Sequence, residues 1–282
     1  MIEIGKINCL KVIRKTDLGY MVSDEKEEIL LHYKEAEREL EINQMVHVYI
    51  YTDSKNRKTA TMKEALLTLD KKNFVQVVNH IDGVGVFIDN HTPKDLLISK
   101  DYLPYNLEEW PKEGDLVFCE AKLKRDTLVA KPVNRFDLLE LYTGKKYQEN
   151  EQVKAYVLRI AAKGIGLITE DLVYVFVPIS QFRKRYRLGQ EVLVTITKML
   201  EKEAYGSLNE HKELLMDVDK ITILNYLETH NGVLPLTAKS SSEEVEKFFQ
   251  MSRKAFKRAY GSLYKEEQIT FDEETTYLKK LS

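Results

Sequence analysis

Phe74-Val75-Gln76-Val77-Val78, Gly85-Val86-Phe87-Ile88 and Asp95-Leu96-Leu97-Ile98 follow one another closely, and their pattern decides the fold. Apolar side chains recur at every second position, as in strands with one buried face. Two more runs, Asp115-Leu116-Val117-Phe118-Cys119-Glu120-Ala121 and Thr127-Leu128-Val129-Ala130, bring the set to five. Five short strands in a segment of this length suit a five-stranded Greek-key barrel of the OB type. The layout recurs on both sides. Before it stand runs at 7–13, 19–22, 29–31, 45–51 and 59–62; after it stand runs at 153–158, 166–168, 173–177 and 191–196. Gly114-Asp115 and Gly189-Gln190 precede the fourth run of their units, and Asn43-Gln44 takes that place in the first. A repeat of this kind predicts tandem modules rather than one enzyme core.

The last quarter changes period. Val218, Ile221, Leu224 and Leu227 have helical spacing, and Asn231-Gly232 ends the run. Ser240-Ser241-Ser242-Glu243-Glu244 reads as a helix start, with acids in the first turn. A second helix carries Val245, Phe248 and Phe249; Ser252 caps a third that runs to about Gln268. Ile269-Thr270-Phe271 and Thr276-Tyr277-Leu278 form a hairpin, giving a winged helix-turn-helix. The predicted fold is mainly β with a C-terminal α+β domain: three tandem five-stranded OB-type barrels at 1–68, 72–143 and 148–213, then a winged helix at 216–282. The linkers near Leu69-Asp70-Lys71-Lys72 and 145–147 lack the Gly/Ser richness of a tether, which predicts an elongated, semi-rigid monomer.

The 282 residues are 43% hydrophobic and 31% charged, with a formal net charge of −2. Each quarter of the chain is close to neutral, so a nucleic-acid site has to be a local patch. No apolar run is long enough to cross a bilayer, and the N-terminus lacks a signal-peptide layout. A cytoplasmic protein without membrane partners is expected. Cys9 and Cys119 lie far apart without ligand-spaced neighbours, so both are expected to be buried thiols and no metal or cofactor is expected. Walker-type loops, His-Glu-x-x-His and Gly-x-Ser-x-Gly are missing, and the histidines are scattered, so the chain is read as a binder, not an enzyme.

The three barrels resemble the RNA-binding domain named after ribosomal protein S-one, and the whole layout is similar to the bacterial conserved virulence factor B family. The residues carrying this resemblance are Thr92-Pro93-Lys94 before Asp95-Leu96-Leu97-Ile98, Trp110-Pro111-Lys112-Glu113-Gly114-Asp115, Arg187-Leu188-Gly189-Gln190, and most specifically Met251-Ser252-Arg253-Lys254-Ala255-Phe256-Lys257-Arg258-Ala259-Tyr260-Gly261-Ser262-Leu263-Tyr264-Lys265. The resemblance implies a role in gene expression. It also implies an RNA face with aromatics on each second strand and a histidine after each third. In this chain Tyr20 and His32 fill those places in the first unit, and Phe87 and Ser99 in the second. The third has Lys163-Gly164-Ile165-Gly166 and Pro178, without the rings.

Three groups are candidate contacts. Phe182-Arg183-Lys184-Arg185-Tyr186-Arg187 mixes cations and rings, a composition suited to single-stranded RNA, and Lys154, Arg159 and Lys163 would extend it. Arg253, Lys254, Lys257, Arg258 and Lys265 fall outside the apolar stripe of the third helix and would meet phosphates. Tyr20, Phe87 and His32 would stack on bases. Trp110 is read as a structural anchor. The expected function is an RNA adaptor or regulator of low sequence selectivity, with ribosomal or RNA-processing proteins as further partners. The third barrel and the winged helix would make the main contacts. Its rivals are a DNA-binding transcription regulator and a protein scaffold.

Overall fold

The computed structural model describes residues 1–209 and 212–279, with backbone alone over 212–218. It divides into two compact units, Met1–Leu208 and Asn209–Ser282.

The first unit holds three closed barrels. The first is built from β1 to β5 (Ile7–Lys15, Gly19–Ser23, Glu28–His32, Met45–Thr52, Lys58–Thr61). The second is built from β6 to β10 (Asn73–Ile81, Gly85–Ile88, Leu96–Ser99, Leu116–Lys124, Thr127–Pro132). A helix the sequence reading did not expect, α1 (Arg135–Glu140), follows; the Asn134 side chain caps it by accepting from the Phe136 and Asp137 amides. The third barrel is β11 to β15 (Gln152–Ala161, Gly164–Thr169, Tyr174–Pro178, Glu191–Met199, Glu203–Ser207).

The barrels close by the same devices. The first strand of each is bulged, at Val12/Arg14, Val77/Asn79 and Val157/Arg159. A bulge adds twist and lets one strand pair on both sides of a closed sheet. The second strand of each opens on a glycine pressed against the third. A Cβ at Gly19, Gly85 or Gly164 would sit 2.2, 2.1 or 2.3 Å from the carbonyl oxygen of Leu31, Ile98 or Val177.

Apolar positions alternate inward, as in β13, where Val175 and Val177 are fully buried. The first two barrels share one core, running from Ile2 and Val12 through Leu67 to Ile98 and Ala130. Buried Asn90 ties the connecting chain to it: its Oδ1 accepts from the Leu67 amide at 2.6 Å and its Nδ2 donates to the Leu67 carbonyl at 3.2 Å. Another apolar layer, including Phe118, Leu138, Tyr156 and Tyr174, fills the seam between the second and third barrels. Trp110 is buried, and its indole N–H donates to the Pro104 carbonyl at 2.8 Å. Cys119 is buried as expected, but Cys9 is exposed: on β1 the inward positions are Leu10 and Val12, which leaves Cys9 on the outer face.

The second unit is a winged helix: α2 (Lys212–Thr229), β16 (Val233–Leu234), α3 (Ser242–Phe249), α4 (Arg253–Lys265), β17 (Ile269–Phe271) and β18 (Thr276–Leu278). Its sheet order is β16-β18-β17. Ser241 caps α3 in a capping box with Glu244, and Ser252 caps α4. Ile223, Leu227, Val245, Phe256 and Leu263 form the core. The Val218 side chain lies outside the described residues. Among the described residues, no helix is long and apolar enough to cross a membrane.

Candidate nucleic-acid interface

The third barrel carries an aromatic pair that the sequence reading missed. Phe176 on β13 lies in register with Tyr205 on the parallel neighbour β15, and the rings meet edge-to-face at 5.9 Å. Val175 and Ala204 point into the core, which turns Phe176 and Tyr205 outward. Gly164 makes room for the first ring: a Cβ there would come within 2.9 Å of Phe176 Cζ. Tyr205 is 39% exposed, and Lys198 stands opposite it on β14. The signal was present in the Tyr174-Val175-Phe176 alternation. The glycines of Gly164-Ile165-Gly166 read as a loss of aromatics, whereas they are the floor under rings from the next strand.

A groove of about 340 Å3 opens at the end of the same barrel. Apolar residues including Ile160, Ile165, Ile179 and Phe182 line it, together with Arg183, Lys184 and Arg185 and one acid, Glu109. Exposed Lys163 lies beside it; its carbonyl accepts from the Ile179 amide at 3.1 Å. Exposed Arg159 stands opposite Gly166 on β12. Phe182 and buried Tyr186 meet edge-to-face at 5.8 Å, and Lys184 Nζ lies 5.5 Å from the Tyr186 ring. Among the described residues, no ion pair forms at Arg183 or Lys184. An apolar lining with cations beside it can hold an unstacked base while its phosphates are neutralised.

Several expected contacts are committed elsewhere. Arg187 donates from Nε and Nη2 to Asp115 of the second barrel at 2.6 and 2.9 Å, and the Asp115 side chain is only 8% exposed. This fork fastens two barrels, together with the Leu188 amide donating to the Glu109 carbonyl at 2.9 Å. Lys154 pairs with Glu191 at 3.0 Å and Glu170 at 3.3 Å. The Tyr156 hydroxyl and these two carboxylates hold its ammonium above the ordinary lysine range. Arg185 meets Glu108 at 3.0 Å, both well exposed, a pair that phosphate can displace. Sequence distance hid these acids: none lies between Asp171 and Glu191, and the fold brings them from other turns and from β14.

The rings of the first barrel also differ from expectation. Tyr20 is 3% exposed, and its hydroxyl accepts from the Leu40 amide at 3.1 Å, so its ring cannot stack on a base. His32 Nδ1 accepts from the Lys34 amide at 3.1 Å and caps a short 3-10 turn, as Ser99 does for the turn after β8. That position is a cap in both barrels. Phe87 stays half-buried on the outer face of β7, opposite Leu97.

In the second unit, Ala255, Phe256, Ala259, Tyr260 and Leu263 of α4 are buried, while Lys254, Lys257, Arg258 and Lys265 are exposed. Arg253, Lys254, Lys257 and Arg258 line a concavity of about 420 Å3. Arg253 donates through Nε to the Ser240 carbonyl at 2.9 Å, which fixes it at the start of the helix. The wing turn between β17 and β18 is acidic, Asp272-Glu273-Glu274. Among the described residues, no group of three or more His, Cys, Asp or Glu is placed to hold a metal.

Comparison with known proteins adds to this geometry. Residues 4–63 match the S1 domain, 73–129 the CvfB first S1-like domain, and 221–278 the CvfB-like winged helix domain. An uncharacterised protein of Bacillus subtilis, YitL, is 34% identical over 98% of this chain and 94% of its own. Conserved virulence factor B of Staphylococcus haemolyticus is 30% identical over 95% of this chain and 92% of its own. A crystal structure of a multidomain protein with nucleic acid binding domains from Streptococcus pneumoniae matches with a TM-score of 0.65 at 25% identity, covering 98% of each chain. With barrels and winged helix matched in this order along nearly the full length of such relatives, the chain belongs to the conserved virulence factor B family.

Proposed function

We propose that this protein binds single-stranded RNA with low sequence selectivity, acting as an adaptor or regulator of gene expression by binding and not by catalysis. The observations that carry this reading are the Phe176–Tyr205 pair on the outer face of the third barrel, where Phe176 is half-buried, and the cation-bearing groove of the same barrel. Rings accept any base by stacking, at about 1–3 kcal/mol per base, and cations meet the backbone. The S1-like and winged-helix matches, and the relative described as having nucleic acid binding domains, support the same class. The basic face of α4 supplies further phosphate contacts. Duplex DNA is disfavoured as the target, because a wing turn of Asp272-Glu273-Glu274 would repel a phosphate strand laid along it.

The test is a titration of the full chain with labelled single-stranded RNA and with duplex DNA at two salt concentrations. The Phe176→Ala/Tyr205→Ala and Arg183→Ala/Lys184→Ala pairs are compared with the parent. Each pair is expected to weaken RNA binding by about tenfold or more. The cation pair also flattens the salt dependence by about 0.7 per residue removed. RNA affinity untouched by both pairs, or a preference for duplex, overturns the reading.

A further inference from the structure

Gly261 lies inside α4, on the face opposite the core. At 3.6 residues per turn, buried Ala255, Phe256, Ala259, Tyr260 and Leu263 occupy one side of the helix. Gly261 falls on the other, in the middle of Lys254, Lys257, Arg258 and Lys265. Glycine in an exposed helix interior weakens the helix relative to alanine. Within the described residues nothing requires it. A Cβ at Gly261 would meet no atom within 4 Å, and its φ is not in the left-handed region. The contrast with Gly164, which is blocked by a neighbouring carbonyl, is plain.

What the missing side chain provides is access. It leaves helix backbone part-exposed at the centre of four cations, none of which forms an ion pair among the described residues. Attraction concentrates anions there, and the absent methyl lets them come about 1.5 Å closer to the helix axis. The cations span the helix from Lys254 to Lys265, about 16 Å at 1.5 Å per residue. A single phosphate cannot reach both ends, whereas an extended polyanion can. Phe271 on β17, next to the acidic wing turn, packs 5.2 Å from the Tyr264 ring of the same helix.

We infer that Gly261 is a docking notch in which the phosphodiester backbone of single-stranded RNA lies directly against α4, with Lys254, Lys257, Arg258 and Lys265 on the flanking phosphates. This rests on the reading of the chain as an RNA-binding protein. The experiment uses the full chain carrying Gly261→Ala and, separately, Lys254→Ala/Lys257→Ala/Arg258→Ala. Thermal melting and affinity for a labelled single-stranded RNA are measured for each. Gly261→Ala is expected to raise the winged-helix melting temperature by about 4 °C. It is also expected to weaken RNA binding about tenfold with the salt dependence kept, since no charge is lost. The triple variant weakens binding and flattens the salt dependence. If Gly261→Ala stabilises the protein and leaves RNA affinity unchanged or tighter, the notch is wrong while the basic face stands. A lowered melting temperature also overturns it, because the fold itself would then need the glycine. If the triple variant leaves affinity unchanged, the basic face of α4 takes no part in binding and the notch falls with it.

Discussion

At the scale of single residues, the cations of the third barrel divide by partner rather than by position in the chain. Arg183 and Arg187 sit in one basic run, yet the first lines an open groove and the second is forked onto an almost fully buried carboxylate. Arg187→Ala leaves the Asp115 carboxylate with the Lys112 amide alone and is expected to cost about 2 kcal/mol of stability, read as a lowered denaturation midpoint. Arg183→Ala/Lys184→Ala is expected to leave that midpoint within about 0.5 kcal/mol while RNA affinity falls. Equal midpoints for the two variants would contradict this division. Residue type was legible in the sequence, but partnership was not, since Glu108, Asp115, Glu170 and Glu191 reach these cations through tertiary contacts. His32 has a role that its place in the sequence did not show. A ring with a free nitrogen beside a tight turn can serve the backbone, and Nδ1 does so here.

At the scale of elements, much was readable because strand geometry is local. Period-two alternation located the runs that became β1 to β14 but missed β15 (Glu203–Ser207), and the turns before the fourth strands were marked by residues that tolerate a left-handed backbone. Asn43, Gly114 and Gly189 all adopt it, with φ of 71, 88 and 71°. What the sequence hid was the layer outside each sheet. Whether Gly164 signals an empty face or a seat for Phe176 depends on the neighbouring strand, and register is a tertiary fact. Gly164→Ala should therefore disturb more than a turn. Its Cβ would collide with the Val177 carbonyl and crowd the Phe176 ring, so a loss of about 3 kcal/mol and of RNA binding is expected. A variant that folds and binds like the parent would show that β12 and β13 can part at no cost. α1 escaped the sequence reading because six residues are too few to show a helical period.

At the scale of the whole molecule, near-neutral net charge and buried phenols set the response to solution conditions. Burial pushes the Tyr49 and Tyr147 hydroxyls up to about 12, and burial with nearby Glu35 and Asp53 does the same for Tyr51. An unfolded tyrosine ionises near pH 10, about two units lower. The stability these groups contribute is thus complete below about pH 10 and disappears as pH climbs towards about 12. Melting temperature of the three-barrel unit should fall steeply over that window, with phenolate absorbance rising together with unfolding. A flat melting profile up to pH 12 would show that the rings are solvated. The common core of the first two barrels has a consequence for descent. Modules joined by loose thread can be traded between genes as cassettes, but a barrel taken from this pair would leave Val12, Leu67 and Ile98 without half of their surroundings. Lineages carrying this architecture are therefore confined to altering outward positions such as Met21, Phe87 and Phe176, and the history of what each barrel recognises is written there, in point changes rather than in reshuffled parts.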